Sequence, residues 1–122
     1  MAPIERRACA RFQVPGALVD WEAASRSGVF GSGSRLGDLS RGGLRLLTPQ
    51  PPAVGDRLRL VLRVAGADPL EVRGTVVRRS PTTGQIHEVG VSFAPYGPDP
   101  GDNPPRVLDA LAALEVLFLT AG

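Results

Sequence analysis

The residues best equipped for chemistry fall into two short clusters. Near the start, "RRACAR" sets Arg7 and Arg11 four positions apart, with Arg6 directly before them. Later, "DLSRGG" places Asp38, Ser40 and Gly43 just ahead of a strand-like run. A guanidinium is a planar, always-charged fork that suits phosphate oxygens and guanine edges better than a lysine ammonium does. An acid and a hydroxyl two residues apart lie on one side of an extended chain. A plain hairpin needs only a glycine or an Asn-Gly pair, so this turn carries more polar chemistry than its shape demands. Each cluster also has an ordinary account. Asp and Ser hydrogen-bond turns locally, adjacent glycines make bulges, and an arginine run is commonly a solvated terminus.

Enzymatic readings fare poorly. One histidine, His87, and one cysteine, Cys9, cannot form a zinc site, so no metal ligands are expected. No phosphate-cradling Gly-Lys-Ser/Thr loop is present, and "GDLSRG" lacks the pattern of a nucleophile elbow. No catalytic residues are assigned. Cys9 is a spacer between the arginines, and a single cysteine fits a reducing cytoplasm. No apolar run is long enough for a bilayer, and the polar, basic N-terminus does not read as a secretory signal.

All 14 basic residues are arginine, and the net charge is only +2. Codon drift in a GC-rich genome accounts for the missing lysine, while the small charge argues against coating long nucleic acids. An aromatic content of 5% leaves few stacking platforms for a single strand.

At 122 residues the chain reads as one domain with one core. Residues 1–11 form a flexible Arg-rich arm, 12–97 a barrel, and 98–122 a linker and C-terminal helix packed on it. "FQVPGALVDWE" predicts a first strand broken at Pro15-Gly16, and "SRSGVFGSGSR" a mobile Gly/Ser-rich loop. "GLRLLTP" follows as a strand. "DRLRLVLRV" alternates strictly, with Leu58, Leu60, Leu62 and Val64 on one face and Arg57, Arg59, Val61 and Arg63 on the other. "LEVRGTVVRR" points Val72, Gly74 and Val76 inward, and "IHEVGVSFAP" does the same with Val89, Val91 and Phe93. Short strands with regularly spaced turns predict an all-β barrel or sandwich. In the tail, Asn103 is the expected N-cap and Pro104 the first helical residue. Val107, Leu108, Leu111, Leu114 and Phe118 make the buried face of a helix closing the barrel. Val116, Leu117 and Leu119 extend the apolar character around the helix end, a surface for deep burial or a homodimer.

Taken together and in this order, "RRACAR" and "DLSRGG" on a β-rich chain resemble the PilZ domain, a bacterial receptor family for cyclic di-GMP with an RxxxR arm and a [D/N]xSxxG turn. "RGTVVRR" and "HEVGVSF" resemble its last strands, and the likeness runs from about Glu5 to Ala94. It implies a six-stranded antiparallel β-barrel closed by an α-helix. It implies that Arg7 and Arg11 grip phosphates and guanine, and that Asp38, Ser40 and Gly43 form a wall against another guanine. Arg6 is the mark of relatives that hold two intercalated ligand molecules. Arg78 is an additional candidate contact, standing where relatives tend to carry an aromatic.

The expected function is a single-domain cyclic di-GMP receptor that orders its arm on binding and signals to a separate protein. The alternative is a PilZ-fold protein–protein adaptor with little or no nucleotide affinity, against which the intact motif residues speak.

Overall fold

A computed structural model of the chain describes residues 10–24 and 26–119. Alternation builds β4 (Arg57–Arg63), β5 (Leu70–Pro81) as far as Val76, and β6 (His87–Phe93), and β3 (Gly43–Thr48) precedes them. Leu58, Leu60, Leu62, Val72, Val76, Val89, Val91 and Phe93 turn inward and are buried, as expected. β1 (Leu18–Ala23) follows the Pro15-Gly16 turn and adds Val19, Trp21 and Ala23 to the same core. The strands close into an antiparallel barrel in the order β1-β2-β3-β6-β5-β4, so no sheet edge is left unpaired.

Only the first part of the segment expected as a mobile loop lies outside a strand; its residues 30–35 belong to β2 (Phe30–Leu39), a ten-residue strand. Its sequence, FGSGSRLGDL, is poor in β-branched residues. Pairing with β1 on one side and β3 on the other overrides that weak propensity. Its glycines have separate jobs. Gly31 lies against the Trp21 indole, where a Cβ would overlap the ring. Gly33 takes φ 68° where the β1–β2 register shifts. Asp20 fastens that bulge by accepting the Gly33 N–H at 2.8 Å and the Ser32 hydroxyl at 3.3 Å, while Arg63 Nε donates to it at 2.7 Å. The Gly33 amide first, and then Arg63, hold the Asp20 carboxyl below the usual carboxylate range.

The helix α1 runs Pro105–Leu119, one residue later than expected, and Val107 N–H bonds the Pro104 carbonyl at 2.9 Å. Asn103 does not cap it. Its side chain faces the barrel, accepting the Arg73 N–H at 2.7 Å and donating to the Arg73 and Ala94 carbonyls at 3.0 and 3.1 Å. The cause is burial: Asn103 is 1% exposed, and backbone groups of β5 and of the chain after β6 need partners there. Val107 and Leu111 enter the core, with Leu108, Leu114 and Phe118 packed partly buried against it. Glu115 reaches Arg41 in the β2–β3 turn at 3.3 Å. The helix thus covers the barrel end where β2 turns into β3. Val116, Leu117 and Leu119 stay exposed. Among the described residues no helix is long and apolar enough to cross a membrane.

Replacing Asn103 with Ala takes the acceptor from the Arg73 N–H and a donor from the Ala94 carbonyl, while the Arg73 carbonyl keeps the Ala94 N–H at 2.9 Å. Chemical denaturation should register a loss of about 2–3 kcal/mol. For Asp20 the pH dependence has a definite sign. A depressed native pKa gives stability that is present above the ordinary value of 3.8 and is lost as pH falls through the lower native value. Urea midpoints of wild type and Asp20→Asn should therefore be separated at neutral pH and converge below about pH 4.

Candidate ligand-binding site

Phe12 is the anchor from which the site is built. Its side chain is 4% exposed, and its N–H and carbonyl pair with Leu39 at the end of β2, both at 2.9 Å. That bridge sets the preceding residue beside the strand end, and Arg11 Nη1 meets Asp38 Oδ1 at 2.8 Å. One arginine of the first cluster and the acid of the second are therefore in contact.

Asp38 faces outward because of a bulge. β2 pairs Leu36 with Leu46 and then Asp38 with Arg45, leaving Gly37 as the extra residue. Inward positions run Ser34 and Leu36, then jump to buried Leu39. Strict alternation would have sent Asp38 into the core. Gly37 suits the bulge because a Cβ there would stand 3.0 Å from Arg45 Nε and 3.1 Å from its carbonyl.

β5 repeats the device. Val76 pairs with Val91 and Arg78 with Gly90, so Val77 is extra and Arg78 is turned outward. The two bulges bring Asp38, Arg45, Gly90 and Arg78 into a single cross-strand row over β2, β3, β6 and β5. Glu88 joins it from two residues along β6. Arg45 contacts Asp38 Oδ2 at 3.4 Å and Glu88 Oε2 at 3.2 Å, and Arg78 Nη2 lies 3.8 Å from Glu88 Oε1. Arg11, Asp38, Arg45, Glu88 and Arg78 form one alternating chain of charge. A cleft of about 460 Å³ opens beside it, lined in part by Gln13, Pro15, Arg35, Gly37 and Arg45.

The turn that carries the second cluster is rigid. Ser40 is 1% exposed, and its hydroxyl accepts the Gly42 and Gly43 N–H groups at 3.2 Å and donates to the Gly43 carbonyl at 3.3 Å. Ser40 N–H bonds the same carbonyl at 2.9 Å. In the structure the Ser40 hydroxyl is engaged within the turn, where it serves those amides. Gly43 is buried and begins β3, opposite Ser92, and neither it nor Gly42 has a left-handed φ. Tyr96 donates its hydroxyl to the Arg41 carbonyl, clamping the turn from outside.

Arg6, Arg7 and Cys9 lie outside the described residues. Arg11, Asp38 and Arg78 share the outer row, Arg78 being separated from Asp38 by Arg45 and Gly90. Ser40 and Gly43 lie beneath its β2 end. Arg45 and Glu88 belong to neither sequence motif. Their signal was present in outward register on strands whose inward residues were legible, but the partner across the sheet was not. Among the described residues no grouping of His, Cys, Asp and Glu could hold a metal ion.

Comparison with known proteins agrees with this architecture. The chain resembles the PilZ domain of YcgR from Escherichia coli, solved with c-di-GMP, at a TM-score of 0.70 and 18% identity, covering 96% of this chain and 94% of that one. It resembles K. pneumonia MrkH in its c-di-GMP complex at 0.71 and 17%, covering 97% and 55%. The Bacillus subtilis inhibitor of motility MotI gives 0.62 and 15%, covering 93% and 51%. The chain thus spans about half the length of the MrkH and MotI chains. At these identities the likeness is one of fold. No curated protein sequence matches. The PilZ domain family profile, however, matches residues 5–103, taking in both short clusters and all six strands. By that match this chain belongs to the PilZ domain family.

Proposed function

We propose that this protein is a receptor for cyclic di-GMP, binding it on the outer row between the "RRACAR" arm and the "DLSRGG" turn, and relaying the event to a separate protein. The observation that carries the reading is the 2.8 Å contact between Arg11 and Asp38, one residue from each motif. YcgR and MrkH, similar in fold, are both described in complex with this nucleotide.

The chemistry is an exchange of partners. Guanine offers N1–H and an exocyclic amine as donors, and O6 and N7 as acceptors. Asp38 accepts the donor edge, and Arg11 takes the acceptor edge or a phosphate oxygen. Each charge that leaves the Arg11–Asp38 pair finds a replacement on the ligand. Arg11 is 39% exposed in that pair, so opening it costs about 1 kcal/mol or less. Arg7 holds phosphate, and Arg6 adds the charge that a second, intercalated ligand molecule requires. Arg78, whose side chain lies over Gly90, stacks on a base. Ser40 and Gly43 shape the wall that holds Asp38 in place. The arm becomes ordered over the barrel, and the surface so formed is what the partner reads.

Calorimetric titration with cyclic di-GMP should give low-micromolar or tighter binding. Arg7→Ala and Asp38→Ala should abolish it, and Arg11→Ala should weaken it at least about ten-fold, the value of a charge-assisted hydrogen bond. Absence of heat at high nucleotide concentration overturns the reading, and partner capture indifferent to nucleotide then favours the adaptor role. Ser40→Ala should behave differently from Asp38→Ala. It leaves two buried amides without an acceptor and lowers stability by about 1–3 kcal/mol in a denaturant melt, whereas Asp38→Ala removes only exposed or half-buried ion pairs.

A further inference from the structure

Glu88 has no part in either motif, yet it is the carboxylate that occupies the middle of the row. Its two oxygens go to two different strands, Oε2 to Arg45 on β3 at 3.2 Å and Oε1 to Arg78 on β5 at 3.8 Å. Both contacts are looser than the 2.7–2.9 Å or so of a well-formed charge-assisted bond. Between the two arginines lies Gly90, with which both are in register. A Cβ at Gly90 would meet Arg78 Cβ and Nε at 3.5 Å and Nη2 at 3.6 Å, so the Arg78 side chain is laid down over this glycine. Those distances are ordinary contact, and Gly90 has no left-handed φ. The fold therefore does not require a glycine here, whereas at Gly74 a Cβ would press to 2.7 Å from Val91 and 2.8 Å from the Ser92 carbonyl. A strand glycine without a packing reason is a place for close approach by another molecule.

We propose that Glu88 sets the affinity of this site as its built-in anion, holding the guanidiniums of Arg45 and of Arg78, the latter laid across Gly90, until an anionic ligand replaces it. The inference rests on the receptor reading above and deepens it. Of the row's two carboxylates, Asp38 has a short contact with Arg11, while Glu88 has only the two long ones. Phosphate or guanine oxygens at optimal distance are better partners for both guanidiniums than Glu88 is. Release is easy because the Arg78 side chain is 56% exposed. Glu88 is thus a competitor of tuned weakness. It lowers affinity for the nucleotide and keeps the two arginines from adventitious anions in its absence.

The test is calorimetry with cyclic di-GMP on wild type, Glu88→Gln and Glu88→Asp. It is paired with NMR titration of the Arg45 and Arg78 side-chain Nε–H signals by inorganic pyrophosphate. Gln removes the charge at nearly constant shape, and Asp keeps the charge but withdraws it by one methylene. Both variants should bind about five-fold tighter than wild type, the worth of a loosely held ion pair. Equal affinity in Glu88→Gln and wild type overturns the proposal. So does tightening by Gln with none by Asp, which would reduce Glu88 to background charge. If no form gives heat with the nucleotide but pyrophosphate perturbs the two arginines more strongly in Glu88→Gln, the receptor reading fails while the role of Glu88 stands. If neither probe responds in any form, both fall.

Discussion

One extra residue in β2 decides which side of the barrel wall Asp38 occupies. Side chains alternate with a period of two, so parity set at Ser34 and Leu36 would place position 38 in the core. A lone carboxylate among Leu39, Leu44 and Leu46 would cost several kcal/mol or remain protonated. The bulge at Gly37 shifts the parity, returns Leu39 to the interior and leaves Asp38 on the outer face beside Arg45. Without it neither the contact with Arg11 nor the row across β3, β6 and β5 could form. The second bulge, at Val77, does the same for Arg78 from the far side. Two local irregularities on non-adjacent strands thus converge on one outer face, which is the usual use of bulges near binding sites.

The row has a charge logic of its own. Three guanidiniums and two carboxylates alternate, so every ion has an opposite neighbour while one positive charge is left over. Side chains here are between 17% and 56% exposed, which makes each pair weak and exchangeable. A fully buried network would resist opening, and an unpaired arginine cluster would repel itself and attract any passing anion. The half-exposed alternating chain lies between those extremes. Long contacts at its centre and a short one at its Arg11 end grade how readily each link gives way.

Much of the barrel was visible in the sequence because burial writes itself as alternation. β4, β5 and β6 needed no more than Leu58 to Leu62, Val72 to Val76 and Val89 to Phe93 to be placed correctly. β2 was invisible for a physical reason: a strand interrupted by two bulges, with Gly31 against an indole and Gly33 at φ 68°, loses both its period and its propensity. Such a segment is stabilised by neighbours far away in sequence. Asn103 hides its role in the same way. Asn before Pro is an ordinary helix signal, and only the fold reveals that Arg73 and Ala94 compete for its amide. The motif residues were legible as candidates because their types and spacing are local. Arg45 and Glu88 were not, since their importance lies in which strands are adjacent, and β3 lies next to β6 rather than β4.

The placement of Ser40 constrains how the site can respond to anything it binds. A turn whose hydroxyl, amides and carbonyls are mutually satisfied, with the Arg41 carbonyl held by Tyr96, has no slack of its own. Its two ends are fixed in the barrel through Leu39 and Leu44, both fully buried. Backbone motion there would have to break several hydrogen bonds together, at about 1 kcal/mol or more each. The guanidiniums of Arg11, Arg45 and Arg78 are long, partly solvated and held by one or two ion-pair contacts, so they move at far lower cost. Within the barrel the side chains of this row are thus the movable part above a fixed floor, and the Phe12–Leu39 bridge belongs to that floor. Rigidity at Ser40 and exchangeability at Glu88 are complementary. The first keeps Asp38 in position, and the second leaves the opposing arginines free to turn towards a new partner.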